Sequence, residues 1–92
     1  MTGTTRSSEG LDARRRKLLF RSWHRGMREM DLILGSFADA EIAALNEAEI
    51  DEYERLLDIP DTVLLPWMTG EQQAPDDAMI DRILAFRRSL KF

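Results

Sequence analysis

The sequence predicts an all-α protein, a compact five-helix bundle in a single domain. Apolar residues recur at helical spacing along most of the chain, and no stretch alternates with period two for long enough to form a strand. The 92 residues suit one hydrophobic core and are too few for two. Because the chain contains no cysteine, this core must hold the fold without disulfides.

The first helix is predicted to follow a polar tail. Residues 1–10 are rich in Thr, Ser and Gly, so we expect a flexible N-terminal tail ahead of a domain that spans residues 11–92. The helix itself is expected from about Asp12 to Ser22, with Leu19 and Trp23 one turn apart on its apolar side. Its basic residues are expected to lie mostly in solvent.

The second helix has the clearest period. Four apolar residues are three, four and three positions apart and therefore share one face: Met27, Met30, Leu34 and Phe37. Gly35 lies within this pattern, where it either admits a neighbouring helix to close range or is a tolerated defect. The helix is predicted to end between positions 39 and 45.

The third helix is predicted to begin at Asn46, a residue whose side chain suits the N-cap. Glu49 stands three residues later, where a carboxylate can reach back to free backbone N–H groups. The expected buried edge of this helix is formed by Ile50, Tyr53 and Leu57.

The fourth helix is predicted to be short and to end at Gly70. Pro60 and Asp61 mark the turn before it. Proline within a helix removes one hydrogen bond and crowds the preceding turn, so Pro66 implies either a distorted helix or a later start. The apolar residues that indicate this helix are Val63, Leu64, Trp67 and Met68.

The last helix is predicted to begin near Asp77, where acidic groups stabilise the positive helix end. Basic residues near its other end complement the negative pole: Arg87, Arg88 and Lys91. Its apolar face repeats at four, three and four positions: Met79, Ile83, Phe86 and Leu90.

Charge is distributed unevenly along the chain. Residues 1–28 carry eight basic side chains against two acidic ones, and residues 29–92 carry five against fifteen. This polarity favours oriented docking on a partner. The basic run from Arg14 to Lys17 has no set of base-stacking aromatics beside it, so we expect no nucleic-acid binding. No apolar run is long enough to insert into a membrane.

Residues for catalysis and metal binding are scarce. The one histidine, His24, lies among arginines and is expected to be exposed and structurally neutral, and zinc sites built from His and Cys are excluded by count. We interpret the carboxylates between Glu47 and Glu54 as a solvated surface. No glycine-rich phosphate loop follows a strand, so direct nucleotide binding has no sequence signature.

The most unusual local feature is the run Arg25-Gly26-Met27-Arg28-Glu29-Met30-Asp31. In a purely structural interpretation, Gly26 lies near the N-cap, Glu29 occupies the third helical position, and Arg25 pairs with Glu29 one turn away. In a functional interpretation, Gly26 leaves a shallow notch for the backbone of a partner, flanked by Arg25 and Glu29. The residues alone leave both open.

At this motif the chain resembles the SdhE-type succinate dehydrogenase assembly factors, also called flavinylation factors, whose hallmark is Arg-Gly-x-x-Glu. The resemblance covers roughly residues 11–90 and implies a five-helix monomer. It implies that the protein binds the flavoprotein subunit of succinate dehydrogenase, with the subunit of fumarate reductase as a further candidate. By this resemblance Arg25, Gly26 and Glu29 would contact the subunit, and three residues would border the same surface: Arg28, Asp31 and Trp67. Pro66 departs from the family, in which a polar residue often precedes the tryptophan.

The implied role is that of a non-catalytic, chaperone-like helper. FAD would become attached to a histidine of the partner, and this chain would bind no cofactor tightly. Two other functions stay open: an antitoxin-like protein-binding module of a toxin pair, and a flavin carrier. We expect a bacterial cytoplasmic location, with the mitochondrial matrix as the alternative.

Overall fold

Five α-helices make up the chain in a computed structural model that describes residues 10–90, and no strand occurs within that range. The all-α prediction is therefore confirmed. Residues 1–9 of the expected tail, and Lys91 at the end of the last predicted helix, lie outside the described residues. The helices are α1 (Ala13–Trp23), α2 (Arg28–Glu41), α3 (Glu47–Leu57), α4 (Asp61–Thr69) and α5 (Ala78–Arg88).

Side-chain caps set the start of three helices. Asp12 precedes α1 and accepts from the backbone N–H of Arg15 at 2.7 Å. At α3 the predicted capping box is present: Asn46 accepts from the Glu49 N–H, and the Glu49 carboxylate accepts from the Asn46 N–H, both at 2.8 Å. Asp77 caps α5 in the same way as Asp12 caps α1. These bonds satisfy N–H groups that a helix leaves without partners at its N-terminus.

The core lies between α1, α2, α3 and α5: α2 packs on α1 and α5, and α3 packs on the same two helices. Its buried stripe on α2 includes Met30, Leu34 and Phe37, as the period predicts, whereas Met27 at the N-cap is only half-buried. The stripe of α5 is buried at Met79 and Ile83 and half-buried further along. Because each helix is too short to be stable alone, this shared core holds the bundle together.

Gly35 admits a neighbouring helix to close range, which decides between the two interpretations of this residue. A Cβ placed at position 35 would overlap the indole ring of Trp23, the last residue of α1. The indole Nε1 donates to Asp39 Oδ1 at 3.2 Å, one turn further along α2. The glycine therefore allows the Trp23 ring to lie directly on the α2 backbone.

A buried polar contact joins α1 to α3. The Tyr53 hydroxyl lies 2.6 Å from Ser22 Oγ, and the Ser22 hydroxyl donates to the Leu18 carbonyl at 2.8 Å. The Tyr53 hydroxyl also lies 3.3 Å from the Leu34 carbonyl of α2. Burial raises the pKa of the Tyr53 phenol, because the phenolate would lose its hydration in the core.

The basic face of α1 departs from the sequence-based expectation of a solvated surface. The Arg15 side chain is only 15% exposed; its guanidinium donates to the Ile42 carbonyl at 3.0 Å and to the Leu45 carbonyl. Arg14 pairs with Asp51 at 2.6 Å and Glu54 at 2.7 Å. Because arginine carries five donors, Arg15 can satisfy the carbonyls after α2 while Arg14 pairs with two carboxylates of α3.

The acidic face of α3 is accordingly partly covered by arginines and is not simply solvated. Besides the Arg14 pairs, Arg82 of α5 bridges Glu41 at 2.6 Å and Glu49 at 2.9 Å. Within residues 10–90, no three acidic or His groups are arranged to hold a metal ion. These carboxylates therefore link helices.

Helix α4 begins at Asp61 and runs through Pro66, so the later start, one of the two alternatives for this segment, is wrong. Gly70 ends the helix as predicted, with a φ of 84° that suits glycine. The backbone N–H of Gln72 donates to the Pro66 carbonyl at 3.0 Å and closes the following turn. None of the helices described is long and apolar enough to cross a bilayer.

Candidate docking surface at the entrance to the second helix

The Arg25–Asp31 run forms the turn between α1 and α2 and the first turn of α2. Gly26 has a φ of 92°, a left-handed conformation that favours glycine. The N-cap is Met27, which makes no side-chain cap bond, so Glu29 stands at the second helical position. Gly26 thus lies next to the N-cap, as the structural interpretation has it, but Glu29 is at the second helical position and not the third.

Arg25 is held inside the molecule's own framework. Its side chain is 10% exposed. Its three guanidinium nitrogens donate to Asp61 Oδ1 at 2.6 Å, the Leu57 carbonyl at 2.8 Å and the Ile59 carbonyl at 2.6 Å. The expected pair with Glu29 does not form. The end of α3 offers carbonyls at its negative pole, and Asp61 adds a full charge, so this environment attracts the guanidinium more strongly than an exposed carboxylate does.

Asp31 closes the same turn from the other side. Its Oδ1 accepts from the backbone N–H of Arg25 at 2.8 Å. Asp31 is in the first turn of α2, where a carboxylate also stabilises the positive helix end. Side-chain bonds of Arg25 and Asp31 thus fix the turn at its beginning and at its end.

Three residues of the motif face solvent: Gly26, Arg28 and Glu29 are exposed. A Cβ at Gly26 would have no heavy atom within 4 Å beyond its chain neighbours, so the backbone there is open to approach. Neither Arg28 nor Glu29 makes a side-chain hydrogen bond or ion pair within residues 10–90. The turn therefore displays one cation and one anion beside bare backbone.

A groove of about 380 Å³ adjoins this turn and is bordered by Arg25, Phe20 and Pro60. Phe20 is 63% exposed and stacks on His24 with ring centroids 3.9 Å apart. His24 is exposed, as predicted, and its Nδ1 lies 2.7 Å from the Phe20 carbonyl. Sequence reasoning missed Phe20; its position four residues before His24, off the apolar face of α1, was the available signal.

Trp67 lies apart from this cluster. It is half-buried on α4, six residues beyond Asp61, which corresponds to about 9 Å along the helix axis. It lines a different groove, together with Gly70 and Leu84. The structure thus gathers five of the six predicted site residues into one turn and places the sixth at the opposite end of α4.

The chemistry of the turn is that of recognition. It carries cationic and carboxylate side chains, and its backbone is open at Gly26. Three internal bonds of Arg25 hold the turn in place. Within residues 10–90 the chain is a small all-α protein with a charged turn held in place by internal bonds, an arrangement suited to contacts with another molecule.

The chain belongs to the family described as flavinator of succinate dehydrogenase, whose model matches residues 16–87. This match confirms the resemblance seen at the Arg-Gly-x-x-Glu motif. Its relatives are named FAD assembly factor or succinate dehydrogenase assembly factor.

Individual relatives are both bacterial and mitochondrial. The chain is 35% identical over 71 residues to the FAD assembly factor SdhE of Acetobacter pasteurianus, covering 77% of this chain and 65% of that protein. It is 39% identical over 79 residues to the mitochondrial succinate dehydrogenase assembly factor 2 of Schizosaccharomyces japonicus, covering 86% and 55%. The corresponding Dictyostelium discoideum protein is 41% identical over 63 residues, covering 68% and 45%. The chain spans about half the length of the curated relatives it matches.

Proposed function

We propose that this protein binds the flavoprotein subunit of succinate dehydrogenase and promotes covalent attachment of FAD to it. The observation that carries this proposal is the exposed, unpaired set Gly26, Arg28 and Glu29 on a turn that Arg25 and Asp31 hold rigid. The family's description as flavinator of succinate dehydrogenase supplies the partner.

The rigid turn suits recognition for an energetic reason. A surface that is already ordered loses little conformational freedom on binding, so more of the contact energy appears as affinity. Arg28 and Glu29 can form charge-assisted hydrogen bonds with the partner, and the open backbone at Gly26 lets a chain approach closely. In this proposal Arg25 and Asp31 position the turn, and the exposed residues make the contacts.

The helper contributes geometry and no reacting group. FAD and the histidine that accepts it belong to the flavoprotein, and this chain holds that subunit in the arrangement in which the two react. We therefore propose that it acts as a monomer, without enzymatic activity and without tightly bound cofactor, in the bacterial cytoplasm. Titration of the isolated protein with FAD tests the cofactor statement: a flavin-binding isotherm with micromolar or tighter affinity would contradict it.

The decisive experiment measures flavin attachment with matched glycine variants. The flavoprotein subunit is produced without its own helper and supplied with this protein or a variant, and covalent flavin is read by fluorescence in denaturing gels. Gly26→Arg and Glu29→Ala should abolish or strongly reduce attachment. Gly10→Arg is the control, because Gly10 has a similar φ of 88°. A Cβ at Gly10 would also have no heavy atom within 4 Å beyond its chain neighbours.

Each outcome bears on the proposal. Loss of attachment with Gly26→Arg and retention with Gly10→Arg supports it, since both carry the same backbone strain. Normal attachment by a folded Gly26→Arg variant overturns the assignment of the surface. Repeating the assay with the fumarate reductase flavoprotein shows whether that subunit is served as well.

A further inference from the structure

A second groove, between the end of α4 and the end of α5, has features of a ligand site that the charged turn does not explain. Its volume is about 380 Å³. Trp67 and Leu84 contribute apolar surface to it, and Arg87 and Arg88 contribute two guanidinium groups from the last turn of α5. The groove therefore combines an apolar wall with a cationic rim.

Neither of the two arginines has an internal partner among the described residues, and Arg87, unlike the exposed Arg28, is half-buried. The other arginines that line the interhelical contacts bind carboxylates or carbonyls, as Arg14, Arg25 and Arg82 do. Within residues 10–90, neither Arg87 nor Arg88 makes an ion pair or a side-chain hydrogen bond. The Arg87 Nε is buried and has no acceptor among the described residues, 10–90.

A buried N–H without an acceptor is rare in folded proteins, because the group has lost its hydration and gained no bond in exchange. An acceptor bound in the groove would satisfy it once the Arg87 side chain turns its guanidinium toward that acceptor. A carboxylate is the group best suited, since it can accept two N–H bonds from one guanidinium in a planar arrangement.

We propose that this groove binds an extended acidic segment of a protein partner, with a carboxylate on Arg87 and Arg88 and an apolar side chain against Trp67. A small free dicarboxylate would occupy the guanidinium groups and leave the Trp67 and Leu84 surface uncovered. A peptide that carries both groups covers both surfaces. This site goes beyond the proposed function, since it concerns a second surface of the chain and holds whichever protein supplies the segment.

The test uses the isolated full chain and two synthetic peptides. One is an acetylated, amidated peptide of alternating aspartate and leucine, and the other replaces each aspartate by asparagine. Binding is followed by NMR at the Trp67 indole N–H and the Arg87 Nε–H. The acidic peptide should shift both signals saturably, and the amide peptide should bind about tenfold more weakly or less, because it lacks the charge-assisted bonds.

Variants locate the binding. Replacing both arginines, Arg87→Gln with Arg88→Gln, should remove the response, and Arg55→Gln should keep it, because Arg55 is an exposed arginine that lies outside this groove. Should the double variant fold poorly, two measurements still test whether the carboxylates bind these arginines: the response of Arg88→Gln alone, and the comparison of the two peptides on the wild-type chain.

Three results would overturn the proposal: equal binding of both peptides, equal weakening by Arg55→Gln, or the same shifts from succinate alone. The last result would assign an anion site in place of a docking groove. Failure here is separable from failure of the proposed function, because flavin attachment to the flavoprotein is measured without these peptides.

Discussion

The Arg25 guanidinium donates from Nε to Asp61 Oδ1 at 2.6 Å and so ties the α1–α2 turn to the first residue of α4. The same side chain donates to the carbonyls of Leu57, the last residue of α3, and of Ile59, and the Arg25 backbone N–H donates to Asp31. The Arg-Gly-x-x-Glu motif therefore has two parts. Its arginine is an internal brace, and its glycine and glutamate are displayed on the surface that the brace fixes.

Removal of the brace should destabilise the fold. Arg25→Met leaves two carbonyls and the Asp61 carboxylate without their donors, and we expect a loss of about 2–4 kcal/mol in the free energy of unfolding. Urea unfolding followed by helical circular dichroism measures this. Arg28→Met, the matched change at an exposed and unpaired arginine, should stay within about 0.5 kcal/mol. Equal losses for the two variants would show that Arg25 braces nothing.

An alanine at position 35 should destabilise the protein, although alanine is the better helix former. The added methyl group would overlap the Trp23 ring, and we expect a cost of about 1–3 kcal/mol. In a Trp23→Leu background the overlap is absent, so Gly35→Ala should there be neutral or favourable. A double-mutant cycle from thermal or urea unfolding gives the coupling. Additive effects of the two changes would contradict a direct contact.

Local patterns predicted much of this fold and little of how its site is held. The α2 stripe and the Asn46 capping box depend on residues three or four positions apart, a spacing that the sequence displays directly. The partners of Arg25 and Arg15 are carbonyls more than 25 residues away. A backbone acceptor leaves no mark in the sequence, so Arg15 was expected to lie in solvent and Arg25 was expected to pair with Glu29 or to contact a partner.

The exposed part of the candidate site could be predicted because a glycine between charged residues is a local signal. Residue spacing could not show whether Trp67 lies beside this turn. The distance between Trp67 and the turn depends on the direction in which α4 leaves Asp61. The Phe20 side chain is exposed because the packing of α1 leaves that side of the helix uncovered. Helical spacing places Phe20 off the apolar face of α1, but whether another helix covers it is tertiary information.

Alkaline pH should unfold this protein through Tyr53. Burial raises the pKa of its phenol in the folded state, whereas the phenol of the unfolded chain has a pKa of about 10. The contribution of the neutral phenol to the free energy of unfolding is therefore complete below that pH and is lost as pH rises above it. The chain has one tyrosine, so phenolate absorbance reports this residue alone. The absorbance should rise together with the loss of helical circular dichroism. Phenolate formation at full helicity would show an accessible hydroxyl, and Tyr53→Phe should lessen the alkaline loss.

Neutralising Glu29 should weaken the proposed complex without affecting the fold. Glu29→Gln keeps the size of the side chain and removes a charge that has no partner within residues 10–90, so the free energy of unfolding should change by less than about 0.5 kcal/mol. Affinity for the flavoprotein subunit, measured by calorimetry, should fall about tenfold through loss of charge-assisted bonds. Glu71→Gln makes the same change at an exposed site outside the motif and should leave affinity unchanged. Equal weakening by both variants would mean that overall charge, and not this surface, governs binding.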